Sequence, residues 1–111
     1  MIFGTSCLGN LYAALPDQTK DAIVAQSVQR STPPAAFDSA GKYGAGLALE
    51  VLGRNLRRLG VAPDQVLISN KLAWYRVPLR GPEPTFEPGV GAGLAHDAEQ
   101  RISAEGIHAC W

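Results

Sequence analysis

Short apolar runs alternate with longer amphipathic stretches over the first two-thirds of the chain. Ile2-Phe3-Gly4-Thr5-Ser6 opens it as a brief strand, and Ala35-Ala36-Phe37-Asp38 and Val66-Leu67-Ile68-Ser69-Asn70 repeat the pattern. After the first run, Asp17 or Thr19 can cap a helix whose Ile23, Val24 and Val28 form an apolar face ahead of Arg30. Pro33-Pro34 then stops that helix and forces an extended entry into the second strand. After the second run, Leu49, Leu52, Leu56 and Leu59 are spaced three, four and three apart, one helical stripe that Gly60 and Pro63 end. The run from Val66 to Asn70 is of the kind buried on both faces of a parallel sheet. Strand, helix, strand, helix, strand with short connections predicts an α/β fold of parallel βαβαβ units.

The pattern then breaks. From Arg76 to Gly93 the chain carries Pro78, Pro82, Pro84 and Pro88 with Gly81, Gly89, Gly91 and Gly93, so 76–93 reads as a long loop, the kind that serves as a lid or mobile segment. Leu94 to Ile102 fits either an extended or a helical segment, and Ser103 with Glu105 marks a helix start. A chain of 111 residues is one domain, well short of the roughly 250 of a complete eight-stranded barrel. A strand at the first methionine and a helix cut off after barely two turns add the expectation that 1–111 is a single, partial (β/α) domain from a longer protein.

Composition narrows the function. Hydrophobic residues make up 46% and charged residues 18%, enough for a globular core. Ten basic and ten acidic residues cancel, leaving no electrostatic footprint for nucleic acid or an anionic membrane. Arg54, Arg57 and Arg58 fall in the last turns of the second predicted helix, where cations complement its dipole and face water. No apolar run approaches the roughly 18 residues of a membrane helix and no basic-then-apolar leader opens the chain, so a soluble, cytoplasmic protein is expected. Cys7 and Cys110 lie near opposite ends and suggest no disulfide framework, and His96, Asp97, His108 and Cys110 fit no common zinc spacing. Reduced thiols and no metal are expected.

Asp38 and Lys71 each end an apolar run, which puts both charges at the carboxyl ends of neighbouring parallel strands, the edge where such folds do their chemistry. Tyr43 sits between them in the turn Gly41-Lys42-Tyr43-Gly44-Ala45-Gly46. A phenol with an unperturbed pKa of about 10 needs a neighbouring cation to act as an acid or base near neutrality. Lys71 can be that cation and Asp38 can hold it, a relay suited to hydride transfer, where an oxygen gains or loses a proton as its carbon gains or loses hydride. The spacing equally allows an ordinary ion pair with Tyr43 packed against it. Gly44-Ala45-Gly46 is no dinucleotide fingerprint, because Leu49 stands where the third glycine belongs. Trp74 and Tyr75 can wall a sugar pocket with their ring faces or simply cover the mouth of the fold.

Phe37-Asp38-Ser39-Ala40-Gly41-Lys42-Tyr43-Gly44, followed by Glu50, Gly53 and Ser69-Asn70-Lys71, resembles the aldo-keto reductase family. Gly4-Thr5-Ser6-Cys7-Leu8-Gly9-Asn10 is similar to that family's first-strand signature. Lys71-Leu72-Ala73-Trp74-Tyr75-Arg76-Val77-Pro78, with Pro84-Thr85-Phe86-Glu87-Pro88-Gly89, resembles its aldose dehydrogenase branch, which oxidises sugars such as L-fucose. The resemblance runs over most of residues 1–93. It implies a (β/α)8 TIM barrel, of which this chain would be the N-terminal part, truncated after about three strands. It further implies NAD(P)-dependent oxidation of a sugar or aldehyde, with Tyr43 as general acid/base, Lys71 as the cation that stabilises its phenolate and Asp38 as the residue that orients Lys71. Gly4, Thr5 and Ser6 would lie on the nicotinamide side. A fourth catalytic residue, a histidine ending the fourth strand, matches neither His96 nor His108 in position, and the dinucleotide phosphate site belongs to the last strands. The chain alone is therefore expected to bind no cofactor and to show little or no activity. Gly91 and Ala104 depart from the branch, which favours bulky residues there. The competing expectation is a non-catalytic half-barrel that self-associates, or joins the missing C-terminal part, through open strand edges and apolar helix faces.

Overall fold

Strands and helices follow the apolar runs in the computed structural model, which describes residues 1–110. β1 (Ile2–Gly4), α1 (Asp17–Gln29), β2 (Ala35–Ala40), α2 (Leu47–Arg58) and β3 (Val66–Lys71) come in that order. The three strands form one parallel sheet in the order β1-β2-β3. Gly4 lies beside Asp38, Asp38 beside Ser69 and Ala40 beside Lys71. β2 extends past Asp38, the end of its apolar run, because Ser39 and Ala40 are buried and continue pairing with Asn70 and Lys71.

Alternation along β2 turns Ala35 and Phe37 into a core closed by Leu8, by Val24 of α1 and by Val51, Leu52 and Leu56 of α2. On α1, Ile23 and Val28 pack against that core as their spacing predicts. Neither Asp17 nor Thr19 caps this helix. Pro16 occupies the N-cap position with φ −58°, so its ring steers the chain into the helix without a side-chain acceptor. The buried stripe of α2 is also rotated from the leucine pattern: Ala48, Val51, Leu52, Asn55 and Leu56 are buried, Leu49 is half-buried, and Leu59 lies past the last turn, exposed. Asn55 can sit inside because its amide donates to the Val51 carbonyl at 3.0 Å and accepts from Arg58 at 2.8 Å. Arg54 and Arg58 face water and reach Asp17 and Asp21 of α1 only at 3.7–4.0 Å, so these exposed pairs add little stability.

β3 is the main departure from expectation. Instead of being buried on both faces it is exposed from Leu67 onward, with Leu67 63% and Ile68 42% accessible. Two causes combine. β3 is an edge strand with β2 as its one neighbour, and the helices cover one face of the sheet. The register puts Ile2, Ala36 and Leu67 together on the other face, with Gly4, Asp38, Ser69 and Lys71 at its carboxyl end.

β4 (Trp74–Pro78) and β5 (His96–Gln100) form an antiparallel pair, with Trp74 opposite Gln100 and Val77 opposite Asp97. Arg76, Val77 and Pro78 are therefore strand, and the irregular stretch begins after them, where proline can no longer donate to a ladder. Of the two conformations open to Leu94–Ile102, the strand is the one adopted. α3 (Ala104–Ala109) starts where Ser103 and Glu105 predict, the Ser103 hydroxyl accepting from the Gly106 amide at 3.0 Å. The proline and glycine stretch is tied down at one end: the Tyr12 amide donates to the Val90 carbonyl at 2.9 Å and Asn10 Nδ2 to the Ala92 carbonyl at 2.8 Å. Lys20, almost wholly buried, donates in turn to Asn10 Oδ1. Cys7 and Cys110 are free thiols. Among the described residues no helix is long and apolar enough to cross a membrane.

Candidate active site

Parallel register carries Asp38 and Lys71 to the same end of the same uncovered face. There Lys71 Nζ donates to Asp38 Oδ2 at 2.6 Å, to the Ser39 carbonyl at 3.3 Å and, over a longer 3.4 Å, to the Tyr43 hydroxyl. The same ammonium stands 5.2 Å from the centre of the Tyr43 ring. One cation thus touches both the carboxylate and the phenol. Its hydrogen bond holds the Asp38 carboxyl below the usual carboxylate range, against the opposing pull of burial. The bond also raises the Lys71 ammonium above an ordinary lysine. Both groups are ionised at neutral pH.

The turn that presents Tyr43 is built from left-handed backbone, with φ of 66°, 52° and 87° at Gly44, Ala45 and Gly46. It presses against the loop after β1. A side chain on Gly9 would begin 2.6 Å from the Tyr43 carbonyl, and one on Gly44 would begin 2.5 Å from the Gly9 carbonyl oxygen. Arg76 of β4 holds the far side of the turn, its Nε donating to the Ala45 carbonyl at 2.6 Å while its guanidinium pairs with Glu50 in the first turn of α2. The Arg76 hydrogen bond lowers the Glu50 carboxyl.

Thr5 serves the sheet. It is 1% exposed, its hydroxyl donating to Ser39 Oγ at 2.8 Å and its amide to the Asp38 carbonyl at 3.0 Å. Gly4 is exposed, with open space where a Cβ would stand, and Ser6 is half-buried. Gly4 leaves room beside Asp38, Ser6 keeps access to solvent, and Thr5 fixes the strand that carries them.

Trp74 and Tyr75, consecutive in β4, leave the strand on opposite sides. Trp74 packs 6.0 Å from the Phe86 ring and has Lys42 Nζ 5.5 Å above it, while Tyr75 stacks under the Arg101 guanidinium at 3.8 Å. Both border a cavity of about 310 Å³ that Lys71 and Asn70 also line. His96 lies on β5 and His108 on α3, and neither hydrogen-bonds to Asp38, Tyr43 or Lys71.

Sequence reasoning missed three groups. Lys42 pairs with Glu87 at 3.1 Å, Arg76 with Glu50, and Asp97 gathers the amides of the segment that carries Phe86. Each joins elements far apart in the chain, and no local pattern announces such a contact.

The sequence model of the Aldo/keto reductase family matches residues 1–111. The chain belongs to the aldo/keto reductase family. No curated protein matches it. Membership implies an NAD(P)-dependent oxidoreductase fragment, from a family that acts on small-molecule aldehydes and sugars. Its three parallel strands with intervening helices are consistent with the N-terminal strands of the aldo/keto reductase barrel.

Proposed function

We propose that Asp38, Tyr43 and Lys71 are the proton-transfer residues of an oxidoreductase acting on aldose sugars of the L-fucose kind. The observation that carries this reading is the single ammonium of Lys71, held 2.6 Å from Asp38 and 3.4 Å from the Tyr43 hydroxyl at an open strand end. NAD(P), when bound, accepts or supplies the hydride. In the oxidative direction the Tyr43 oxygen takes the proton of the sugar hydroxyl, and in the reductive direction it returns one to the carbonyl oxygen. Lys71 donates a hydrogen bond to that oxygen, and Asp38 keeps Lys71 charged and in place. A purely structural ion pair is the weaker account, because side chains 36% and 54% exposed gain little from pairing in water. The indole of Trp74 beside the Lys42–Glu87 pair combines an apolar face with charged hydrogen-bonding groups, which suits a sugar.

The relay is testable without turnover. With lysines reductively methylated and followed by NMR, Lys71 is expected to titrate above an ordinary lysine, and Asp38→Asn to bring it down toward that value. Identical titration in both proteins would break the proposed relay. The signs define a window. Stabilisation from the lowered Asp38 is lost as pH falls through its folded value, and that from the raised Lys71 is lost as pH rises through its own.

The bare sheet face supports a second, non-catalytic reading: the 111 residues alone turn over little or no sugar and instead associate through β3 and the exposed Ile2 and Leu67. Light scattering is expected to give a mass above the 11.8 kDa monomer. A monodisperse monomer excludes this reading.

A further inference from the structure

A carboxylate outside the Asp38, Tyr43 and Lys71 cluster is almost wholly enclosed. Asp97, on β5, is 6% exposed and pairs with no cation among the described residues. Four donors converge on it instead. The Thr85 amide donates at 3.0 and 2.9 Å to its two oxygens, the Thr85 hydroxyl at 2.9 Å, the Phe86 amide at 3.4 Å and the Ala98 amide at 2.8 Å. Burial alone pushes this carboxyl up, but the Thr85, Ala98 and Phe86 donors outweigh it and hold the group below its ordinary value, so the acceptor is ionised at neutral pH. Charge-assisted bonds of this kind are about twice as strong as neutral ones.

The fastened segment leads directly to the candidate site. Phe86, whose amide Asp97 accepts, packs 6.0 Å from Trp74. Glu87, the next residue, pairs at 3.1 Å with Lys42, the neighbour of Tyr43. Three residues later Val90 accepts from Tyr12, which fixes the other end of the segment. A stretch rich in proline and glycine would otherwise sample many positions. Here it is strapped at both ends, with its aromatic and acidic side chains set against the site.

We infer that Asp97 is a positioning residue for the substrate mouth: it fastens Thr85 and Phe86 so that Phe86 and Glu87 form a fixed wall against Trp74 and Lys42, and that wall determines which sugars fit. The inference rests on reading Asp38, Tyr43 and Lys71 as the reaction centre. The strap itself can be measured whether or not that reading holds.

The test is Asp97→Asn, which keeps the shape but turns one acceptor into a donor facing the Thr85 amide. Thr85→Pro is made in parallel; it removes that amide while leaving Asp97 intact. In both, hydrogen exchange at the Phe86 amide is expected to speed up by about tenfold or more. Trp74 emission, read in a Trp111→Phe background, is expected to shift to the red as Phe86 leaves, while exchange in β2 stays at the wild-type rate. Wild-type exchange at Phe86 and unchanged Trp74 emission in either variant would overturn the inference. So would equal loss of protection in β2, which would make Asp97 a general fold determinant. Where aldose turnover is measured, Asp97→Asn is expected to raise KM more than it lowers kcat. Failure of the reaction-centre reading shows elsewhere, as Tyr43→Phe with undiminished kcat.

Discussion

Tyr43→Phe is expected to lower NAD(P)-linked oxidation of an aldose by about 10²- to 10⁴-fold, the usual contribution of a positioned acid–base group. Far-UV circular dichroism and the melting temperature should stay near wild type. The asymmetry follows from geometry. The Tyr43 ring is half-buried and packs against the core, whereas its hydroxyl has one hydrogen-bond partner among the described residues, Lys71 at 3.4 Å. Phenylalanine keeps the packing and removes the proton. The assay is NAD(P)H formation from L-fucose and related aldoses, using the full translated product of the reading frame that contains these 111 residues. Lys71→Met should fall in the same direction, because it leaves the phenol without its cation. Turnover that survives intact in Tyr43→Phe would remove Tyr43 from the chemistry and leave Asp38 and Lys71 as a plain ion pair.

Phe37→Ala should have the largest effect on stability, a loss of about 3–5 kcal/mol, the range for deleting a buried aromatic ring from a core. A small domain has a net stability of only about 5–15 kcal/mol, so this variant is expected to sit close to unfolding. Phe37 is 2% exposed in the central strand and packs 5.9 Å from Phe3. Asp38, one residue along β2, points to the uncovered face. Urea denaturation should therefore separate neighbours sharply, with Phe37→Ala far below wild type and Asp38→Asn close to it. Similar midpoints for the two would mean that the core does not lie on the Phe37 side.

The parallel order, the two long helices and the convergence of Asp38 with Lys71 were legible because strand and helix patterns are local, and strands joined by a helical crossover are usually sheet neighbours. Once β2 and β3 are registered, their carboxyl ends coincide and the acid and lysine must meet. Polar residues that proved buried misled the reading. Ser39 extends β2 because Thr5 satisfies its hydroxyl, and Asn55 lies on the inner stripe of α2 because Val51 and Arg58 satisfy its amide. β3 misled it in the opposite sense, since an apolar run reports composition and says nothing of whether a neighbour covers it. Asp97, Lys42 and Arg76 were invisible for a third reason: each reaches a partner in a different element of the chain, and no pattern within either element fixes their separation.

The contact between Gly9 and Gly44 ties the inheritance of two loops together. A side chain on Gly44 would meet the Gly9 backbone and one on Gly9 the Tyr43 carbonyl and the Gly44 amide, so the atoms in the way are backbone rather than a flexible chain end. A mutation at one position cannot be relieved by shrinking the other, which is already as small as a residue can be. The contact can be kept whole or rebuilt whole, but not adjusted in single steps. Transplanting Asp38, Tyr43 and Lys71 into another scaffold would thus require carrying the loop after β1 with them.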